Sequence, residues 1–305
     1  MSLIVTGTIG IDSIYTPQGH AEGVLGGSCT YFAAAASFYG PVRLVAAVGG
    51  DWPDSHRAVL ERFANVDRTG LEVRPASKTF AWGGKYLGGM NSRETLYTEL
   101  GVLAEPPPKV PDRFKDSRTV FLANTHPAVQ LELLEQFPGR TLAVADTMDL
   151  WIKTAREPLG ALLKKVDGLV LNFDEAELLT GRANTVSAAR RLLDLGPRFV
   201  VVKKGEHGCI MAHRDGLAAM PAYPVEEVVD PTGAGDSFAG GLMGHLAAAA
   251  GNDIGSFETV RRALAHGTVA ASFTIEAFSL DGLARLTREE LDARFRTFAE
   301  MMRLR

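Results

Sequence analysis

With 305 residues, 46% of them hydrophobic, the chain can bury a large core, either as one α/β domain with insertions or as two domains. A formal net charge of -4, with the basic residues scattered, argues against a polyanion partner such as DNA and leaves a small molecule as the expected partner. No apolar stretch is long enough to span a bilayer and no basic-then-apolar leader is present, so a soluble, cytoplasmic protein is expected. Cys29 and Cys209 lack the paired spacing of a zinc or dithiol site.

Short β-rich apolar runs alternate with helical periods along most of the chain, the signature of a parallel sheet covered by helices. The first buried strand is predicted at Leu3 to Thr6, and it leads into Gly7-Thr8-Ile9-Gly10-Ile11-Asp12. That segment resembles a dinucleotide fingerprint only weakly, because the glycine spacing differs and no helix starts there, which leaves an NAD-dependent oxidoreductase as a weaker alternative. Asp12 is read instead as a substrate ligand: one carboxylate accepts two hydroxyl hydrogen bonds and suits a vicinal diol, although it would also cap a turn. Gly10 to Gly26 interrupts the rhythm around the turn Thr16-Pro17-Gln18-Gly19. Gly26-Gly27-Ser28 then opens a helix predicted over Ser28 to Tyr39 and brings its backbone toward the same substrate.

A strand at Leu44 to Val48 and a helix at Ser55 to Phe63 precede a second interruption. Thr79 to Leu100 carries alternating segments separated by Gly83-Gly84 and Gly88-Gly89, which predicts an antiparallel β insertion. The two insertions, about 11–25 and 78–101, are expected to form one small sheet over the open end of the main domain. Such a lid would keep water from a reacting phosphoryl group. The rival role is an edge hairpin that covers core or makes a homodimer interface. Lys85 and Arg93, inside this insertion, are candidates to meet substrate or a transferring phosphate.

Strands follow at Val120 to Ala123 and Leu142 to Ala145, with helices at Val129 to Gln136 and Ile152 to Lys165. A strand at Leu169 to Leu171 ends in Asn172-Phe173-Asp174-Glu175, at the carboxyl end where open α/β sheets bind ligands. Asn172 and Glu175 there would hold Mg²⁺ directly or through water, or simply cap the helix predicted over Asp174 to Thr180. After a helix at Val186 to Leu195, the strand Val200 to Val202 runs into Lys203-Lys204-Gly205-Glu206-His207-Gly208. Nucleotide phosphates would suit that loop, and a tight turn with solvated lysines is the alternative.

The most informative run is Asp230-Pro231-Thr232-Gly233-Ala234-Gly235-Asp236-Ser237-Phe238-Ala239-Gly240-Gly241. Phe238, Leu242 and Leu246 recur at helical spacing, and the pattern continues to Ala250, so Gly233 to Asp236 stand at a helix start. Unpaired N–H groups and the helix dipole favour an anion there, and glycine lets it come close. Asp236 beside an anion site suits a base that takes the proton of an attacking alcohol, with helix capping as the rival role. Thr232 and Asp230 lie in the loop entering the helix, where their oxygens would ligate a cation or orient the turn. Helices are predicted over Val260 to Thr274, where His266 is read first as a core histidine, and over Arg288 to Met302.

Gly7 to Asp12, Gly26-Gly27-Ser28, Asn172-x-x-Glu175, Lys203 to Gly208 and Asp230 to Gly241 occur in the order and spacing of the ribokinase-like carbohydrate kinases, the PfkB family, which the chain resembles over nearly its whole length. The resemblance implies a single domain over 1–305, a three-layer α/β/α sandwich with a mostly parallel sheet and a small β lid, and transfer of the γ-phosphate of ATP to a hydroxyl or hydroxymethyl group. It implies that Asp236 is the base and that Gly233, Ala234 and Gly235 form the anion hole. It places Asn172 and Glu175 on the motif that organises Mg²⁺ and phosphate. Lys203, Gly205 and Gly208 fall on the nucleotide loop, and His266 on a position that often contacts adenine. Asp230 and Thr232 fall where some relatives bind K⁺, and Asp12 and Gly27 on sugar contacts. Two departures stand out: Tyr31 replaces the asparagine of ribokinases, which disfavours ribose, and Lys203 replaces a threonine. The expected substrate is a small sugar or polyol. A nucleoside, stacked on Trp82, Tyr86 or Tyr31, is the alternative, and a non-catalytic sugar sensor of the same fold is a lesser one.

Overall fold

Strand β1 (Leu3–Thr6) is buried at every position and is the strand from which both insertions and the main sheet are laid out. A hairpin of β2 (Gly10–Thr16) and β3 (Gly19–Gly26) follows it, then α1 (Ser28–Ser37), β4 (Val42–Gly49), α2 (Asp54–Glu61) and β5 (Val66–Arg74). A second hairpin, β6 (Phe80–Leu87) and β7 (Ser92–Glu99), precedes a regular alternation of β8 (Thr119–Leu122), α3 (Pro127–Glu135), β9 (Leu142–Asp146), α4 (Asp149–Thr154), α5 (Arg156–Leu163), β10 (Gly168–Asn172), α6 (Phe173–Thr180), α7 (Thr185–Leu193) and β11 (Phe199–Lys203). The chain closes with an edge hairpin, β12 (Cys209–His213) and β13 (Gly216–Met220), and with α8 (Ala234–Ala248), α9 (Phe257–Thr274), α10 (Asp281–Arg285) and α11 (Arg288–Met301). This computed structural model describes residues 2–249 and 253–303; the predicted extension of α8 to Ala250 lies outside them.

The main sheet has nine strands in the order β13-β12-β11-β10-β9-β8-β1-β4-β5, parallel from β5 to β11 and antiparallel at the β12–β13 edge. Its strands are apolar on both sides because helices cover both. Leu3 and Val5 of β1 pack into the layer with α1, α8 and α9, whereas Ile4 packs into the layer with α3, α5, α6 and α7. The result is the expected α/β/α sandwich. The order reverses at β1, which has β4 on one side and β8 on the other, so a crevice opens at the carboxyl ends of β1 and β8.

The two insertions pair into a second sheet, β3-β2-β6-β7, with β2 and β6 parallel and the hairpin pairs antiparallel. Its register explains the glycine pair at 83–84. A Cβ on Gly84 would strike the Trp82 indole, and one on Gly83 would strike the Tyr97 ring, so the two aromatics lie across opposite faces of the strand. Trp82 and Tyr86 face the crevice.

Two elements differ from the sequence expectation. The single helix predicted at Ile152 to Lys165 is two helices broken at Ala155 (φ −133°, ψ 41°). Pro158 causes the break: it has no N–H to donate within a continuous helix and is tolerated in the first turn of a new one. Strand β5 had no clear signal because it is an edge strand of alternating burial, with charged residues at Asp67, Arg68, Glu72 and Arg74.

Candidate active site

The crevice is floored by the residues that follow the parallel strands. Thr8 comes after β1, Asn124 after β8, Asp146 ends β9, Asn172 ends β10 and Lys203 ends β11, and all of them line one cleft of about 1420 Å³. Its opposite wall is the small sheet, through Asp12, Phe80, Trp82, Tyr86 and Arg93. Asp12 pairs with Trp82 across β2 and β6, which sets both on the cleft face. A Cβ on Gly26 would overlap the Asp12 carboxylate, so the glycine there makes room for the acid.

The start of α8 points into the middle of this cleft. Its N-cap, Gly233, has φ 74° and ψ −3°, a left-handed conformation that favours glycine, and any Cβ there would also strike the Tyr31 ring. Tyr31 is 1% exposed, and its hydroxyl has no hydrogen-bond partner. A Cβ on Gly235 would strike Lys203 Nζ, so a cation lies directly against the first turn of the helix. Asp236, also in that first turn, completes a set of helix N–H groups, ammonium and carboxylate at one point.

Asn172 and Glu175 form a reciprocal capping box at the start of α6: Glu175 N donates to Asn172 Oδ1 at 2.8 Å and Asn172 N to Glu175 Oε2 at 2.8 Å. Both residues also line the cleft. The capping and ligand roles are therefore compatible.

Carboxylates crowd this space. Burial pushes the Asp12 carboxyl up to about 8, and the charges of Asp230 and Asp236 add to the shift. Burial also raises Asp236 above the ordinary carboxylate range, while Lys203 and Arg93 pull it down. Asp146 is raised well above that range by burial and by the charge of Asp236, and Glu175 is raised by burial against the pull of Lys203. Asp146 Oδ1 is buried with no hydrogen-bond partner. An unpartnered carboxylate oxygen near Glu175 and Asp236 fits an oxygen-seeking cation such as Mg²⁺. Among the described residues no three such side chains converge on a direct metal site, so this ion would take most of its ligands from water and donor phosphates.

A model of the pfkB family carbohydrate kinases matches residues 140–283, which span β9 to α10 and include Asn172, Lys203 and Asp236. A cytidine kinase of Thermococcus kodakarensis is 29% identical over 252 residues, 80% of this chain and 87% of that enzyme. Over residues 140–283 the chain carries a domain of the PfkB family of carbohydrate kinases, and it is a kinase. Burkholderia thailandensis nucleoside kinase, solved in complex with inosine, has the same fold at a TM-score of 0.76 and 20% identity, covering 97% of this chain and 98% of that one. An Escherichia coli protein of the ribokinase II type, solved with ATP and Mg²⁺, superposes at a TM-score of 0.77 and 18% identity, covering 97% of this chain and 99% of that one. Kinases of this family use ATP as phosphoryl donor.

In this kinase most of the residues singled out in the sequence meet in the one cleft: Asp12, Gly27, Ser28, Tyr31, Arg93, Asn172, Glu175, Lys203, Gly205, Gly208, Thr232 and the segment Gly233 to Asp236. Ser28 is already engaged, since its hydroxyl lies 3.0 Å from Thr8 Oγ1 and accepts from Thr8 N, stitching α1 to the end of β1. Two expected contacts do not reach the cleft. Lys85 is exposed on the outer face of β6, opposite Glu94 of β7 and one residue out of phase with Tyr86. His266 is stacked between His245 at 3.9 Å and Phe295 at 4.1 Å; α9 lines the cleft through Thr268, Ala271 and Ser272. His266 itself is half-buried and does not line the cleft. Asp230 is fully buried, with Oδ1 accepting from Thr232 N at 2.8 Å and Oδ2 from Ser279 N at 3.3 Å. It ties the anion loop to the turn after α9, each of its oxygens accepting one N–H. Asp146 and the Asn124–Trp151 pair, whose indole N–H donates to Asn124 Oδ1 at 2.9 Å, were not anticipated. The available signal was their place at or just after the carboxyl ends of two predicted strands.

Proposed function

We propose that this kinase transfers the γ-phosphoryl group of ATP to a hydroxymethyl or hydroxyl group of a small sugar or polyol, with Asp236 as base and the Gly233–Gly235 turn as anion hole. The observation that carries the reading is the convergence of Asp236, the first turn of α8 and Lys203 Nζ at one point of the cleft. A carboxylate raised by burial takes a proton more readily than an ordinary one, while Lys203 and Arg93 favour its ionised form. The helix N-terminus and Lys203 face the charge that develops on the transferring group, where fixed dipoles need no reorganisation. Lys203, Gly205 and Gly208 hold the donor phosphates. Asn172, Glu175 and Asp146 orient the Mg²⁺ that neutralises those phosphates. Asp12, with Gly27 and Tyr31, holds the acceptor.

A second reading, a nucleoside as acceptor, has its own support. Phe80, Trp82, Met148 and Trp151 give the acceptor side an apolar, aromatic wall that a bare sugar would leave unused, and Asn124 and His126 fix the Trp151 ring. The similarity to the cytidine kinase points the same way. The proposed machinery does not require potassium, since Asp230 already ties the anion loop through its two N–H partners. An ADP-release screen across sugars, polyols and nucleosides, with and without K⁺, tests all of this. Ligand binding without turnover on any acceptor would point to a sensor, and strict K⁺ dependence would return Asp230 to a cation site.

A further inference from the structure

Strand β7 is exposed at every residue, but its register sends one long cationic side chain inward. Arg93 pairs with Tyr86 across the hairpin and shares its cleft face, while Lys85 and Glu94 point out. The guanidinium lies 5.4 Å from the centroid of the Trp82 ring, and its charge favours the ionised form of the Tyr86 hydroxyl across the strand pair. Tyr86 is in turn tied to the anion loop, since Thr232 Oγ1 donates to its hydroxyl at 3.2 Å. The cation is thus held against the loop that carries Gly233 to Asp236. Its charge lowers Asp236, Glu175 and Asp149, yet among the described residues no carboxylate lies within 4.0 Å of it. A cation rimmed by acids and paired with none is available to an anion that enters between them.

We propose that Arg93 is a catalytic residue supplied by the small sheet, whose guanidinium binds the transferring phosphoryl group from the side opposite Lys203 and the start of α8. This rests on the kinase reading above. In the step it serves, an oxygen lone pair of the acceptor forms the new O–P bond and the hydroxyl proton passes to Asp236. The bond between the γ-phosphorus and the β–γ bridging oxygen breaks, and its electron pair leaves with ADP. Arg93 makes and breaks no covalent bond. Lys203 is fixed by the core and provides charge from below; Arg93 spreads charge over the oxygens that Lys203 does not reach, and does so where the sheet covers the acceptor. Trp82 then acts as the platform that holds the guanidinium flat, a role distinct from stacking on a substrate base.

Arg93→Ala and Arg93→Met test this. Both should lower kcat by about 100- to 1000-fold, the loss typical of one donor to transition-state charge, with KM for ATP and acceptor within about threefold of wild type. Calorimetry gives a second readout: affinity for ADP–Mg²⁺–aluminium fluoride in the presence of acceptor should fall by a similar factor, while affinity for ADP alone should not change. Millimolar guanidinium should restore part of the turnover of Arg93→Ala, which leaves a space, and none of Arg93→Met, which fills it. A kcat near wild type in both variants, or equal loss of affinity for ADP and its aluminium fluoride complex, would overturn the proposal while leaving the kinase reading intact. Absence of phosphoryl transfer by the wild-type protein to every acceptor would remove both.

Discussion

The nine-stranded and four-stranded sheets face the same cleft and supply it on different physical terms. The large sheet is sealed on both sides by apolar side chains, and each functional residue it offers sits one step beyond a buried strand. Such positions are fixed by close packing, which responds to the loss of a single methylene. The small sheet has one face on the cleft and the other in solvent, with Leu87, Leu96 and Tyr97 exposed. Its cleft residues are held by a few hydrogen bonds and ring contacts, the Tyr86–Thr232 bond and the Asn91–Glu206 bond at 2.9 Å among them. In the proposed function the difference separates two tasks: the packed sheet would set where charge is stabilised, and the small sheet would decide when the site is complete.

The largest expected effect breaks the fixed side. Asp236→Asn keeps the shape of the first turn of α8 and removes the proton acceptor, so kcat should fall by roughly 1000-fold or more while calorimetric affinity for ATP holds. A loss of less than tenfold would remove Asp236 from the role of base. Gly233→Ala strikes the same element through its backbone. A left-handed φ costs a non-glycine residue about 1–2 kcal/mol, and the Cβ meets Tyr31 as well. The melting temperature should drop by several degrees, and within a Tyr31→Ala background the same change should cost less by the part due to the clash.

On the other side, Tyr86→Phe removes the bond that ties the small sheet to the anion loop and keeps the ring in place. A single net hydrogen bond is worth about 0.5–1.5 kcal/mol, which corresponds to roughly a two- to tenfold fall in kcat/KM. The melting temperature should stay unchanged. An equal fall in stability would mean that the hydroxyl serves folding and that the two sheets divide their tasks less cleanly than stated.

The same contrast governs what could be read in the sequence. Buried strands announce themselves by continuous apolar runs, so β1, β4, β8, β9, β10 and β11 were all placed, and with them the strand ends at Asn172 and Lys203. The glycine-rich run at 230–241 was readable because its chemistry is local: a turn, a helix start and an acid within a few residues. Lys85 and Arg93 were not separable, because which face a residue of a hairpin takes depends on pairing register, and a shift of one residue exchanges them. Asp146 carried no local motif; its significance comes from β9 lying between β8 and β10, which is a matter of topology. His266 stands on a helix that does line the cleft, but two residues before Thr268, about 200° away around the helix axis, where Phe295 and His245 cover it.

The last comparison is in the pH dependence of stability, where the cleft and the packed helices should have opposite signs. Asp12 has its folded pKa raised from 3.8 to about 8, so the folded chain holds a proton that the unfolded chain releases, and its contribution to stability is lost as pH rises from about 4 through 8. Burial, with the neighbouring His245 and Arg288, lowers His266 from 6.5 to about 3. The unfolded chain therefore takes up a proton that the folded chain refuses, and this contribution is lost as pH falls from about 6.5 toward 3. Asp12→Asn should flatten the decline in melting temperature on the alkaline side of pH 5 and leave the acid side alone; His266→Phe should do the reverse. A saturating acceptor sharpens the test, since hydroxyl donors to Asp12 favour its ionised form and should weaken the alkaline decline in wild type only. If both variants shifted the same limb, the acid in the cleft and the histidine stack would be one coupled system, and the separation between the site and its packed support would fail at α8, the helix that joins them.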